Sequence, residues 1–195
     1  ATSNDWSLLA RAITPEDHII GDASAPIQII VYSDFACKYC KSLFGTNIPK
    51  LQTLYPNKLV IAFRHFPLAS QTGTQEEAEA AECIYNAKGN EAFWTFANAM
   101  FETQGVKGDM RKLLAHAQKV GVDPVTFSAC MDTHEGAARV AKDQLEASIA
   151  GIGTTPSEIL KSKNRALIVK GDYFSQLDTA IQYLLQSEEL ITSLK

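Results

Sequence analysis

Hydrophobic positions along this chain follow two rhythms. The run IQIIVYSDF at residues 27–35 is almost continuously apolar and β-branched, as a strand covered on both faces must be. NKLVIAFRHFPL at residues 57–68 repeats that signature. Residues 37–55 between them carry helical spacing with Pro49 inside, which predicts a kink near Thr46. Strand, helix, strand in this order predicts a crossover joining a parallel pair.

From residue 74 to about 150 the strand signal disappears and the helical period takes over. TQEEAEAAECIYNAKG opens on a threonine cap and an acidic first turn, and Gly89 closes it. Its EEAEAAE run reads as a solvated helix face. NEAFWTFANAMF follows, with Phe93, Trp94 and Phe96 read as core, and two further helical stretches each open with Asp. After GIGTTP the strand pattern returns in SEIL and RALIVKG, separated by a polar turn. Leu177, Ile181, Leu184 and Leu185 make a stripe that packs a last helix on the sheet. Residues 1–26 read as an irregular arm with a short helix over 6–12. The expected organisation is α/β: arm 1–26, sheet domain 27–70 with 151–195, and an all-helical insertion at 71–150.

The 195 residues suffice for one domain with its own core, at 46% hydrophobic and 21% charged. A net charge of −4 without a basic block argues against nucleic acid as a partner. No apolar run approaches the roughly 18 residues that span a bilayer. No signal-peptide pattern is present and the chain opens without methionine, which leaves export open. Among the motifs, no glycine-rich phosphate loop occurs.

The chemistry concentrates in Asp34-Phe35-Ala36-Cys37-Lys38-Tyr39-Cys40. Cys37 falls at the first turn of a helix leaving a strand, where unpaired N–H groups and the helix dipole favour a thiolate. Lys38 adds a nearby positive charge. Cys40 stands one turn further along the same face, within bonding reach. A zinc knuckle would need a second close ligand pair, but Cys83 and Cys130 stand far apart in sequence. An inert crosslink over so short a loop would constrain almost nothing. Thiol–disulfide exchange suits an exposed activated sulfur backed by a shielded one, with no metal and no cofactor.

This C-x-x-C after an apolar strand, then Phe63-Arg64-His65-Phe66-Pro67-Leu68, a long helical block and Thr155-Pro156, resembles the DsbA family over about residues 17–186. The resemblance implies a thioredoxin fold with a helical insertion, in an enzyme of the bacterial periplasm or cell envelope. It implies that Cys37 exchanges with substrate and Cys40 resolves the mixed disulfide. Thr155 and Pro156 would form a cis-proline loop facing the cysteines, presenting backbone to an extended substrate. It further implies reduced exported proteins as substrates, a membrane quinone-linked reoxidant of the DsbB kind, and a monomer. Cys83 and Cys130 would form a second, structural disulfide, the alternative being two buried thiols.

Two departures qualify that picture. Lys38-Tyr39 replaces the Pro-His of the best-known oxidases, so Cys37 should be acidic but less extremely so. The buried acid that thioredoxin-like folds often keep six residues before the first cysteine is Val31 here. Asp34, equally suited to capping the helix, and Glu158 are the acids that could stand in for it. His65 reads as a packing or hydrogen-bonding residue. The favoured function is disulfide oxidation; the alternatives are an isomerase or reductase using the same cysteines, and a non-catalytic binding module. Against an isomerase, the arm is too short for a separate dimerisation domain.

Overall fold

The computed structural model describes residues 10–193. Five strands form one mixed sheet in the order β1-β3-β2-β4-β5. They are β1 (His18–Gly21), β2 (Ile27–Ser33), β3 (Leu59–His65), β4 (Ser157–Lys161) and β5 (Ala166–Lys170). β2 and β3 run parallel, and β1–β3, β2–β4 and β4–β5 are antiparallel. The crossover between β2 and β3 is α1 (Lys38–Ser42), a π-helical turn over Leu43–Asn47, and α2 (Ile48–Leu54). Pro49 in the first turn of α2 can donate no backbone hydrogen bond, and the widened turn just before it absorbs that loss. This is the distortion that the sequence predicts near Thr46.

The residue 1–26 region is not wholly irregular. His18–Gly21 pairs along β3 as an edge strand, with His18 opposite Phe63 and Ile20 opposite Ile61. Four residues are too few to show a period, so only the long partner strand makes them a strand. The short helix expected over residues 6–12 lies largely outside the described residues, and Ala10 to Ala12 are not helical.

Helices α3 (Thr74–Thr103), α4 (Met110–Lys119), α5 (Pro124–Asp132) and α6 (Ala137–Ile149) follow, and α7 (Phe174–Ser193) ends the chain. Gly89, with φ 77°, breaks α3 where the first helix was expected to end. Asp109 and Asp123 cap α4 and α5 by accepting backbone N–H bonds. Cys83 on α3 and Cys130 on α5 are joined in a disulfide.

The two sheet faces have different cores. Ile27, Ile29 and Val31 of β2, Ile61 and Phe63 of β3, and Leu160 of β4 pack with the helices bearing Cys40, Leu43, Phe93, Leu177 and Ile181. Ile30, Tyr32 and Ile159 pack on the opposite face with Ala147, Ala150 and Ile152.

The reading of EEAEAAE as a solvated face fails. Glu77, Glu79 and Glu82 are 0%, 5% and 4% exposed. Each carboxylate is buried against a partner from elsewhere in the chain. Glu77 accepts from the Val106 backbone, Glu79 meets His134 at 2.7 Å, and Glu82 meets His18 at 2.6 Å and His65 at 2.9 Å. Burial alone would raise the Glu82 pKa, but the two imidazoles outweigh it and hold the carboxyl below the ordinary range. Such partners lie between 17 and 64 positions away, out of reach of any local pattern.

A second buried cluster ties three regions together. The fully buried Arg64 of β3 bridges Glu146 of α6 and Asp17, and donates to the backbone oxygens of Arg11 and Ala12. Arg11 pairs with Asp143 at 2.6 Å, and Arg139 with Asp17 at 3.0 Å. The Tyr32 hydroxyl donates to Glu146, and the His65 backbone N–H to Asp143. Three guanidiniums thus face three carboxylates with no net charge, the condition under which buried ions are tolerated.

Arg64→Ala leaves Asp17 and Glu146 buried without their central partner. It should lower the unfolding free energy by about 3–5 kcal/mol in urea titrations. Burial pushes the Asp17 pKa up, but Arg64 and its other partners hold it below the ordinary value. Its stabilisation is therefore present above that value and lost as pH falls through the lowered one. This acid limb should shrink in Arg64→Ala. Replacing Cys83 and Cys130 by alanine opens a loop of sequence separation 47. The same titration should show a loss of about 4 kcal/mol on chain-entropy accounting.

Candidate functional site

Cys37 sits at the C-terminal end of β2, at the N-cap of α1, with extended backbone at φ −81° and ψ 116°. Its N–H donates to Asp34 O at 3.1 Å, and its own carbonyl receives the Lys41 N–H. Asp34 locks this turn. One carboxylate oxygen accepts from Ala36 N and the other from Leu68 N, both at 2.8 Å. Asp34 therefore ties the helix entry to the end of β3. Burial raises its pKa.

The two sulfurs occupy unequal surroundings. Cys37 is 6% exposed and Cys40 is 0% exposed. The Cys37 sulfur is thus less open than the sequence suggests, because the loop before β4 covers it. The Cys37 thiol points at Thr155 O, 3.4 Å away. As an anion it is held by the Cys40 thiol, by Thr155 and by the N–H groups of Cys40 and Tyr39, and these bring its pKa down to about 6 against the burial that opposes them. The Thr155 hydroxyl is buried and has no other partner, so it is free to turn to that anion. Cys40 moves the opposite way. Burial, followed by the neighbouring Cys37, pushes it well above the ordinary thiol value, with only partial relief from Ser33 and the Asp34 backbone. One sulfur is a ready anion and the other a reluctant one.

Thr155–Pro156 is a cis peptide bond and lies directly across from Cys37. The loop after β5 braces this turn. Gly171 N donates to Pro156 O at 2.9 Å, and the Asn47 side chain donates to Asp172 O. Lys38 and Tyr39 are both exposed, and the Lys38 ammonium lies 4.8 Å from the centre of the Tyr39 ring. These two side chains form the outer rim, while backbone donors and Thr155 hold the anion.

Sequence reasoning missed Ser33, Asn47 and Asp172. Ser33 ends an apolar strand, and only the folded structure shows that its hydroxyl acts on Cys40. Asn47 and Asp172 are 125 residues apart.

The profile of the thioredoxin family matches residues 13–181, most of the chain and both halves of the site. The chain belongs to the thioredoxin family. Within this family its fold is DsbA-like. It superposes on Wolbachia pipientis α-DsbA1 with a TM-score of 0.77 at 22% identity, covering 98% of this chain and 100% of that one. Pseudomonas aeruginosa DsbA2 gives 0.73 at 23% identity, over 88% and 96% of the two chains. Oxidised BdbD from Bacillus subtilis gives 0.75 at 21% identity, over 88% and 94%. Curated relatives in sequence carry another name. The Na(+)/H(+) antiporter NhaA 1 of Salinispora arenicola is 31% identical over 147 residues, 72% of this chain and 21% of that protein. The NhaA 1 protein of Mycobacterium sp. strain KMS is 27% identical over 158 residues, and this chain spans a quarter of its length. No helix among the described residues is long and apolar enough to cross a membrane.

His65 is buried in this thioredoxin-family core, hydrogen-bonded to Glu82 and edge-on to Phe35. With His18 it makes the one close group of three metal-capable side chains among the described residues. Hydrogen bonds from both rings to one Glu82 oxygen account for that group without an ion.

Alkylation of the reduced protein by iodoacetamide should follow the Cys37 anion. The rate should rise through a midpoint near pH 6 and level off above it, while Cys40 stays unmodified. A midpoint at the ordinary thiol value of about 8.5 would contradict the site described.

Proposed function

We propose that this chain is a disulfide oxidase that passes the Cys37–Cys40 disulfide to paired thiols of exported proteins in the bacterial cell envelope. The opposite pKa movements of the two cysteines carry this reading. Stabilising the Cys37 anion stabilises the reduced protein, and an enzyme that favours its own reduced form is an oxidant. Sign and range agree. The lowered thiol contributes fully above its ordinary pKa, and the contribution is lost as pH falls through about 6. At neutral pH much of it therefore remains.

A substrate thiolate attacks Cys37, and the electron pair of the broken bond goes to Cys40. A second substrate thiol then attacks its own partner sulfur in the mixed disulfide, which closes the substrate disulfide and releases Cys37 as an anion. Thr155 and Pro156 stand beside the sulfur that carries the substrate, where backbone can pair with an extended segment. Lys38 and Tyr39 supply the exposed rim that meets it. Cys83–Cys130 is structural, bracing α3 against α5 within the helical insertion at 71–150, which is set into the sheet domain of 27–70 and 151–195. Reoxidation falls to a membrane quinone-linked partner of the DsbB kind, with this chain acting as a monomer. An isomerase or reductase would use the same cysteines at a different potential.

The reduction potential in glutathione buffers decides between them. A value well above thioredoxin's roughly −270 mV supports the oxidase, and a value near it overturns it. Cys37→Ser should abolish oxidation of a reduced protein substrate. Cys40→Ala, offered a protein substrate with its disulfide intact, should accumulate a mixed disulfide visible by mass spectrometry, because the Cys37 thiolate attacks that bond, one substrate thiolate leaves, and no Cys40 thiol remains to resolve the product.

A further inference from the structure

Glu158 lies two residues beyond Pro156 on β4 and is 0% exposed, with neither carboxyl oxygen hydrogen-bonded. In the β2–β4 ladder it stands opposite Val31. Cross-strand partners share a sheet face, and Val31 and the flanking Leu160 belong to the same core as Cys37 and Cys40. Ser33, two residues beyond Val31 on that face, carries a buried hydroxyl with no other partner and lowers the proton affinity of Cys40. The buried acid absent from position 31 of β2 thus reappears one strand away, opposite that position.

The surroundings show which form of the carboxyl is stable. β2 offers Val31 and β5 offers Val169, directly opposite Glu158. α7, which packs on β4, contributes Leu177 and Ile181 to the same core. The titratable group that acts on it is Asp172 in the loop after β5, while the two cysteines at the start of α1 share the core that this sheet face borders. Burial, then the Asp172 carboxylate, raises the Glu158 pKa well above the ordinary value. With only its own backbone N–H to oppose this, the group keeps its proton.

We propose that Glu158 is the proton source for Cys40 when the Cys37–Cys40 disulfide opens. This rests on the exchange reaction above. As the substrate thiolate bonds to Cys37 Sγ, the disulfide breaks and its electron pair moves to Cys40 Sγ. Cys40 takes the proton of the Glu158 carboxyl, and Glu158 recovers one from solvent along the side facing Asp172. A buried thiolate with so high a proton affinity is a poor leaving group, and a neutral acid on the same face of the core removes that obstacle.

The test measures reduction of the oxidised protein by dithiothreitol from pH 5 to 10, for wild type and Glu158→Gln. Wild type should be faster by at least about tenfold while the carboxyl is protonated, with the advantage disappearing as pH rises. Asp172→Asn should move that loss to lower pH, because it removes a charge opposing ionisation. Infrared difference spectra between oxidised and reduced wild type should show a protonated-carboxyl band that Glu158→Gln lacks. If Glu158→Gln does not fold, Glu158→Asp replaces it and should keep the limb with a displaced midpoint. Rates within twofold of wild type at every pH, or an unmoved midpoint in Glu158→Asp, would overturn the proposal. Wild type inert to dithiothreitol would instead overturn the exchange reaction itself.

Discussion

Unequal solvation of two sulfurs one helical turn apart governs this molecule. Cys37 lies where backbone N–H groups, a neighbouring thiol and the Thr155 side of the cis-proline turn converge, and its anion is satisfied there. Cys40 lies fully inside the core, where an anion finds only Ser33 and one backbone donor. Full reduction of a disulfide between such partners leaves the charge at Cys37 and demands a proton at Cys40. The rest of the fold acts to keep these two environments apart. β2 delivers the helix start, Asp34 pins its entry to the end of β3, and the loop after β5 braces the turn that faces it.

That arrangement depends on a rigid support, and polar interiors supply it. On one side of the sheet Arg11, Arg64 and Arg139 face Asp17, Asp143 and Glu146, joining the segment before β1 to β3 and α6. On the side of Cys37 and Cys40, Glu82 accepts from both His18 and His65, and His65 touches Phe35 two residues before Cys37. Such clusters add little net stability over apolar packing, but they penalise any displaced arrangement heavily. They hold the helical insertion in one register against the sheet.

The likeness to DsbA structures is one of architecture, at identities of 21–23%. The sequence likeness to NhaA antiporters covers a quarter or less of those proteins. Neither comparison reaches the electron flow at Cys37. What favours an oxidase is the pair of sulfurs and the contacts each of them makes.

Local pattern was enough for much of this. Apolar runs located β2 and β3, Pro49 announced the distorted crossover, Gly89 marked the break in α3, and the cysteine spacing placed Cys37 at a helix start with Cys40 one turn on. Those features are written within a few neighbouring residues, and chain geometry carries them directly into structure. The acidic run of α3 misled because a carboxylate's exposure depends on what packs over it. His18, His65, Val106 and His134 approach Glu82, Glu77 and Glu79 only after the chain has folded back. β1 was illegible for the same reason, as four residues become a strand only beside β3. The sequence showed Glu158 as a polar residue in an apolar strand and left its purpose open. Only β-sheet register, which pairs residues 127 positions apart, sets it opposite Val31 on the face that holds Cys40.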